Sequence, residues 1–307
     1  MKGVAQAGAE GEITYFSPEA AKIEDLHRVH DPSYVESLRR FCLMGGGQLD
    51  PDTTVSIDSW DAAILAAGSG LSAIRRLRNG EADSAFLAVR PPGHHAVVDQ
   101  AMGFCLINNV AVAAARLASE GERVFIFDFD AHHGNGTQEI FYNDPHVLYA
   151  SVHQYPLYPG TGRADQIGAG EGLGATINIP VPAFTTYGTY RSAIDEIIWP
   201  VVDSFSPTWV IASAGFDSHR DDPLTDLGLT ASDYGELTDW LIRLVPPGRR
   251  LVFLEGGYDL KALSNSTAST IAALAGGRLV TEEPSDSKPL VPVIESIKRA
   301  RAIALEI

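Results

Sequence analysis

The stretch FDFDAHHGNGTQ, residues 127–138, ends an apolar run in two aspartates and two histidines. Carboxylates and imidazoles this close together serve as ligands for a divalent metal ion or as partners in proton transfer. Asp130 and His132 supply two ligand groups, and Asp217, in SAGFDSH, supplies a third from a distant stretch. A catalytic metal site takes about three protein ligands and leaves a position for water or substrate. A helix cap or a loop pairing would account for Asp130 and His132 alone, but not for the third carboxylate. Carboxylate and imidazole ligands suit zinc, and equally iron(II), cobalt(II) or manganese(II), so residue type leaves the metal open.

His94 and His95 stand in tandem in RPPGHHA. Two imidazoles beside a metal-bound water can act as base and acid once each is oriented by a partner. Asp128 is available to one ring and Asn135 to the other. A carboxylate raises imidazole basicity and an amide does not, so the two rings are expected to titrate differently. Tyr258 follows two glycines in LEGGYDL. A phenol on such a turn can donate to a developing oxyanion and share that task with a metal. His133 reads as a helix-start residue without chemistry, His153 as packing, and His146 and His219 as surface residues.

The elements that must position these groups are legible as short apolar runs. They are SAFLAV (84–89), RVFIFDF (123–129), VLYASV (147–152), TINIPV (176–181), TWVIASA (208–214) and RLVFLE (250–255). Helical patterns separate them, among them NNVAVAAARLASEG and YRSAIDEIIWPVVDSF. This alternation predicts an α/β fold: one mostly parallel sheet with helices on both faces, in a single domain over residues 1–307. Five of the runs end in polar groups, which places those groups together at the carboxyl edge of the sheet, where ligands bind in open α/β sheets. Asp128, Asp130 and His132 share a face if the strand stays extended. DPSYVESLRRF predicts a helix capped by Asp31 with Pro32 in its first turn, and SIDSWDAAILAAGSGLSAIRRLRNG a long helix ended by Gly80. MGGGQLDPDTTV reads as a loop, residues 1–15 as irregular, and LVTEEPSDSKPLVPV as a loop before a short terminal helix.

With 39 acidic against 23 basic residues the net charge is −16, which argues against general binding to nucleic acid or anionic membrane and would attract cationic substrates. Cys42 and Cys105 make no disulfide framework, read as buried thiols, and suit a reducing cytoplasm. No apolar run approaches the ~20 residues of a membrane span, and the N-terminus lacks the apolar core of a signal peptide.

Taken together, RPPGHHA, GFCLINN, FDFDAHHGNGTQEIFY, SVHQYPLYPGTG, SAGFDSHRDDPL and LEGGYDL resemble the histone deacetylase family, including the bacterial acetylpolyamine amidohydrolases, on the arginase–deacetylase fold. They occur in the family's order over roughly residues 25–265. Asn135 in HHGNGTQ resembles the class II branch. The resemblance implies metal ligands Asp130, His132 and Asp217, and catalytic histidines His94 and His95 backed by Asp128 and Asn135. It makes Tyr258 the hydrogen-bond donor in the transition state. Phe104 and Tyr158 would flank an acyl-lysine channel, with Leu224 at its mouth and Asp50 as a rim carboxylate. It also implies a structural potassium ion held by Asp128, Asp130, His132, Ser151 and Val152, with a second, outer site around Phe141, Asp144 and Val147. The family's opening strand and HPE segment, which help wall the inner channel, have no match in MKGVAQAGAEGEITYF.

The expected activity is zinc-dependent hydrolysis of the amide of acetyl-lysine or a related N-acyl amine. The expected substrate is an acylated lysine peptide or a small acylated amine; homo-oligomerisation is compatible with the pattern. An acetylpolyamine amidohydrolase is the alternative within the family: Leu224 favours an apolar acyl-lysine and the acidic charge a cationic amine. An arginase-type ureohydrolase would need more bridging carboxylates than Asn135 and the single Asp217 allow. A non-catalytic acyl-lysine-binding module is the alternative of another class, and the full ligand set with Tyr258 speaks against it.

Overall fold

The computed structural model describes residues 2–9 and 11–306. The chain opens with α1 (Lys2–Gln6), α2 (Ile23–Leu26), α3 (Pro32–Leu43) and a small hairpin, β1 (Gly47–Gln48) with β2 (Thr54–Val55). The long helix α4 (Ser59–Arg78) leads to β3 (Ala85–Leu87), α5 (Asn109–Ala118), β4 (Val124–Asp128) and α6 (Asn135–Phe141). Next come β5 (Val147–Gln154), β6 (Thr176–Val181), α7 (Tyr187–Ala193) and α8 (Trp199–Phe205), the last two joined by a π-helical turn over Ile194–Ile198. The remainder is β7 (Trp209–Ala214), α9 (Ala231–Ile242), β8 (Arg250–Leu254), α10 (Leu260–Leu274) and α11 (Val291–Ala304).

All six apolar runs become strands of one parallel sheet, in the order β3-β8-β7-β4-β5-β6. The single α/β domain expected from the alternation is present. Side chains alternate across each strand. Val124 and Ile126 join the core under α3, α4 and α5, whereas Phe125 and Phe127 join the core under α7, α8 and α9. Each strand is therefore buried on both faces, which is why the runs are continuously apolar rather than alternating. β4 lies between β5 and β7, so the chain leaves β4 in one direction and returns on its other side. A crevice opens at the carboxyl end of such a switch point.

Local signals set several boundaries as read. Asp31 accepts hydrogen bonds from Ser33 N–H and Tyr34 N–H with Pro32 at the first helical position, and α4 stops two residues before Gly80. Other expectations change. Lys2–Gln6 is helical rather than irregular, because Val4 and Ala7 find an apolar partner in Ile271 of α10. The loop 44–55 carries the two short paired strands β1 and β2. The terminal helix is 14 residues long, because Ile294 and Ile297 are drawn into the core. No helix among the described residues is long and apolar enough to cross a membrane.

Candidate active site

β4 ends at Asp128, and the chain bends through residues 129–134 before α6 begins. The acidic and imidazole groups are thus gathered by turns rather than by strand alternation. Asp130 Oδ1 accepts from His132 N–H at 2.9 Å and lies 3.1 Å from His132 Nδ1. Asp217, just beyond β7, accepts from Ala131 N–H at 2.8 Å and brings its other oxygen to 2.9 Å from His132 Nδ1. One ligand atom from each of Asp130, His132 and Asp217 lies within 4.8 Å of the others. Two wholly buried carboxylates are costly unless a positive charge accompanies them. Burial alone would lower the His132 pKa, but Asp217 and Asp130 overcome it and push the ring up to about 11. Burial and the Asp130 charge together raise Asp217 to about 6. The donor set and its field therefore fit a divalent cation.

Gly256, after β8, is required by close approach. Its N–H donates to Asp130 Oδ2 at 2.9 Å, and a Cβ there would collide with the carboxylates of Asp217 and Asp130.

His94 and His95 arrive on the loop after β3, their ring centres 4.0 Å apart. His94 Nδ1 lies 3.1 Å from Asp128 Oδ2, which also accepts from Tyr149 O–H at 3.0 Å. His95 Nδ1 lies 2.8 Å from Asn135 Oδ1. The Asn135 amide is oriented by donating toward His95 O and Met102 Sδ, so its oxygen faces the ring and His95 Nδ1 carries the proton. Burial works to lower both rings. For His94 it is overcome by Asp130, Asp128 and Glu255, which raise the pKa to about 10. For His95 burial is reinforced by the neighbouring His94 charge, and its pKa falls well below the usual histidine value. The predicted asymmetry between the two rings is present.

These groups meet in a cavity of about 240 Å3. Its walls include Phe104, Tyr158, Leu224 and Tyr258, all partly exposed. The Tyr158 ring stands edge-on to His95 at 5.2 Å, and the Phe104 ring lies 6.1 Å from Tyr258. Burial and the charges of Asp217 and Asp130 drive the Tyr258 phenol far above its ordinary pKa, so it stays a donor at neutral pH.

Residues 1–274 match the Histone deacetylase domain family. The chain belongs to the histone deacetylase family. That match begins at residue 1 and so takes in the opening stretch that the motifs set apart. Over 283 residues the chain is 44% identical to a probable deacetylase of Archaeoglobus fulgidus, covering 90% of this chain and 79% of that protein. It is 35% identical over 284 residues to a histone deacetylase-like amidohydrolase of Pseudomonas aeruginosa, covering 91% and 75%. A crystal structure of the HDA15 HD domain superposes with a TM-score of 0.89 at 35% identity, over 100% of this chain and 86% of the other. The buried cluster and the family together support a metal-assisted amide hydrolase.

Within this histone deacetylase fold some residues stand elsewhere than the motifs implied. Asp50 turns its carboxylate onto its own loop, accepting from Asp52 N–H and Thr53 N–H, and from that loop it is Asp52 that lines the cavity, together with Asp130 and Asp217. His219 is fully buried rather than at the surface; its Nδ1 accepts from Asp221 N–H and its Nε2 meets Glu282 at 2.9 Å. His146 is exposed, as read. His133 precedes α6 but is buried, 2.7 Å from Thr161 Oγ1 and 3.1 Å from Gln138 Oε1. Cys42 and Cys105 are buried free thiols. Motif reading missed Glu255, whose buried carboxylate accepts from Gly93 N–H at 2.7 Å and His94 N–H at 3.2 Å. Burial lifts its pKa to about 7. The only signal was a charged residue closing an apolar strand.

Proposed function

We infer that this protein is a zinc-dependent deacylase that hydrolyses the amide of acetyl-lysine or a related N-acyl amine. The observation that carries the reading is the meeting of three ligand atoms, the unequal histidine pair and the Tyr258 phenol in one partly apolar cavity. Asp130, His132 and Asp217 would hold the ion. When bound there, a divalent metal polarises an acyl carbonyl and acidifies a water toward pKa ~7.

The chain's own residues account for the remainder. His95, with its Nδ1 proton committed to Asn135, presents an unprotonated Nε2 to the cavity and takes a proton from the attacking water. His94, beside the Asp128 carboxylate, is the second member of the pair, and a carboxylate-backed ring next to an amide-backed ring can divide the acid and base roles. Tyr258 donates to the oxygen on which charge develops. Phe104 and Tyr158 exclude water and hold an aliphatic stem between their rings. The amine departs with a proton from the histidine pair.

A structural potassium ion would be held by Asp128, Ser151 Oγ and backbone oxygens of Asp130, His132 and Val152. Asp128 and Ser151 face each other in register on β4 and β5. His153 Nε2 is 3.0 Å from Gly162 O and so carries the ring proton, leaving Nδ1 to accept from Ser151 O–H at 2.9 Å. The Ser151 lone pairs are thereby left for a cation.

Asp52 at the cavity wall supports a second reading, in which a distal ammonium of an acetylpolyamine is gripped there. The deciding experiment assays metal-reconstituted protein on acetyl-lysine peptides, acetylputrescine, acetylspermidine and simple acetyl esters. Turnover of the peptides above the polyamines supports the first reading, and the reverse order the second. Metal-loaded protein without turnover of any of them would overturn both.

A further inference from the structure

Asp222 is buried on the loop between β7 and α9, two residues before Leu224. Its carboxylate serves two segments. Oδ2 accepts from Tyr258 N–H at 2.7 Å and from Asp259 N–H at 3.3 Å, and Oδ1 accepts from Leu224 N–H at 3.0 Å. One side chain thus ties the turn that presents the Tyr258 phenol to the loop that brings Leu224 to the cavity mouth.

The turn needs such a tie. Gly256 is held through its N–H to Asp130 and its carbonyl to Phe216 N–H, but Gly257, at φ +134°, adopts a conformation that glycine enters at little cost and is the place where the backbone can turn before Tyr258. On the far side Asp259 caps α10 by accepting from Lys261 N–H and Ala262 N–H, which fixes the chain after the tyrosine but not the tyrosine itself. The loop on the other end of the tie is well anchored. Thr225 O–H donates to Asp217 O, and Asp222 N–H donates to His219 O at 2.9 Å.

We propose that Asp222 is a positioning residue that sets the inward pose of Tyr258 and couples that pose to occupancy of the cavity mouth at Leu224. The proposal rests on the reading of Tyr258 as the oxyanion donor. It makes part of the binding energy at the mouth available for turnover, since contacts remote from the reacting bond raise kcat when they order a catalytic group.

An asparagine at 222 offers one acceptor oxygen where the aspartate offers two, so its NH2 must face either Leu224 N–H or the Tyr258–Asp259 pair, donor against donor. D222N is expected to lower kcat on the order of tenfold, part of the ~10²–10³ that loss of an oxyanion donor costs, with KM and metal content little changed. In a Y258F background D222N should then change kcat by less than about twofold, because the group it positions is gone. D222A, which leaves room for water at the three N–H groups, carries the same test should D222N destabilise the fold. A large but incomplete loss in Y258F on which D222N or D222A still multiplies, or a fall in metal content with either variant at 222, would overturn the role of Asp222 alone. Undiminished turnover in Y258F would overturn the reading of Tyr258 itself.

Discussion

Asn135 is the residue through which the two histidines are made unequal. His94 faces the Asp128 carboxylate, and His95 faces only an amide oxygen. A carboxylate at 135 would stabilise the protonated His95 ring and so raise its pKa. A base works in its unprotonated form, so raising its pKa removes active enzyme at the acid side. The N135D variant is therefore expected to move the acid limb of the kcat/KM profile to higher pH, with the metal content unchanged. A limb that stays in place would mean that His95 is not the group that titrates.

At the scale of elements, the turn after β8 delivers a glycine against two carboxylates. Gly256→Ala is expected to push Asp130 and Asp217 apart and weaken metal binding by roughly 10–100-fold, as seen when the groups that orient ligands are disturbed. Competition with a chelator of known affinity measures it; unchanged affinity would mean the turn shifts freely. The junction of α2 with α5 carries a different prediction. His30 Nδ1 lies 2.9 Å from Val97 O, and Nε2 accepts from Asn108 N–H at 2.9 Å, an arrangement only the neutral ring can make. Burial depresses its pKa from 6.5 to about 4. Below 6.5 the unfolded ring takes up a proton and the folded ring does not. Stability is thus fully present above that value and is lost as pH falls toward 4, at ~1.4 kcal/mol per pH unit and roughly 3 kcal/mol in all. His153, depressed by burial to about 4, adds a similar slope. Denaturant titrations of His30→Gln should reduce the wild-type acid slope by ~1.4 kcal/mol per pH unit, and an unaltered slope would assign the acid loss to other groups.

For the molecule as a whole, the sheet order decides where chemistry can occur. Strands β3, β8, β7, β4 and β5 all end at one edge, and β4 sits at the switch between the two directions of winding. Loops from these five strands can therefore meet over a single cleft while both cores stay apolar. A ligand that occupies this cleft binds only the native state and must raise its stability. A short alkyl hydroxamate, a chelating group on an aliphatic stem, should raise the Tm of metal-loaded protein. A concentration one hundred times Kd corresponds to ~2.7 kcal/mol. The shift should vanish after treatment with a chelator and return with added divalent metal. A shift that survives metal removal would place the binding outside Asp130, His132 and Asp217.

The strands, the capped helix at Asp31 and the end of α4 near Gly80 were open to sequence reading because each depends on neighbours a few positions away. The cluster that could hold a metal was readable too: RVFIFDF and TWVIASA run into Asp130 and Asp217, and a buried strand does not lead into charge without a partner. What only the tertiary structure decided are contacts across long separations. Glu255 finds Gly93 162 positions away, and His219 is buried because Glu282, 63 positions on, meets its ring. Lys2–Gln6 is helical because α10 covers it. Asp52 rather than Asp50 reaches the cavity because the loop folds the Asp50 carboxylate back onto its own amides. Periodicity records which face of an element is apolar. It carries no record of which buried donor meets which buried acceptor, because that pairing is set by close packing of segments remote in the chain.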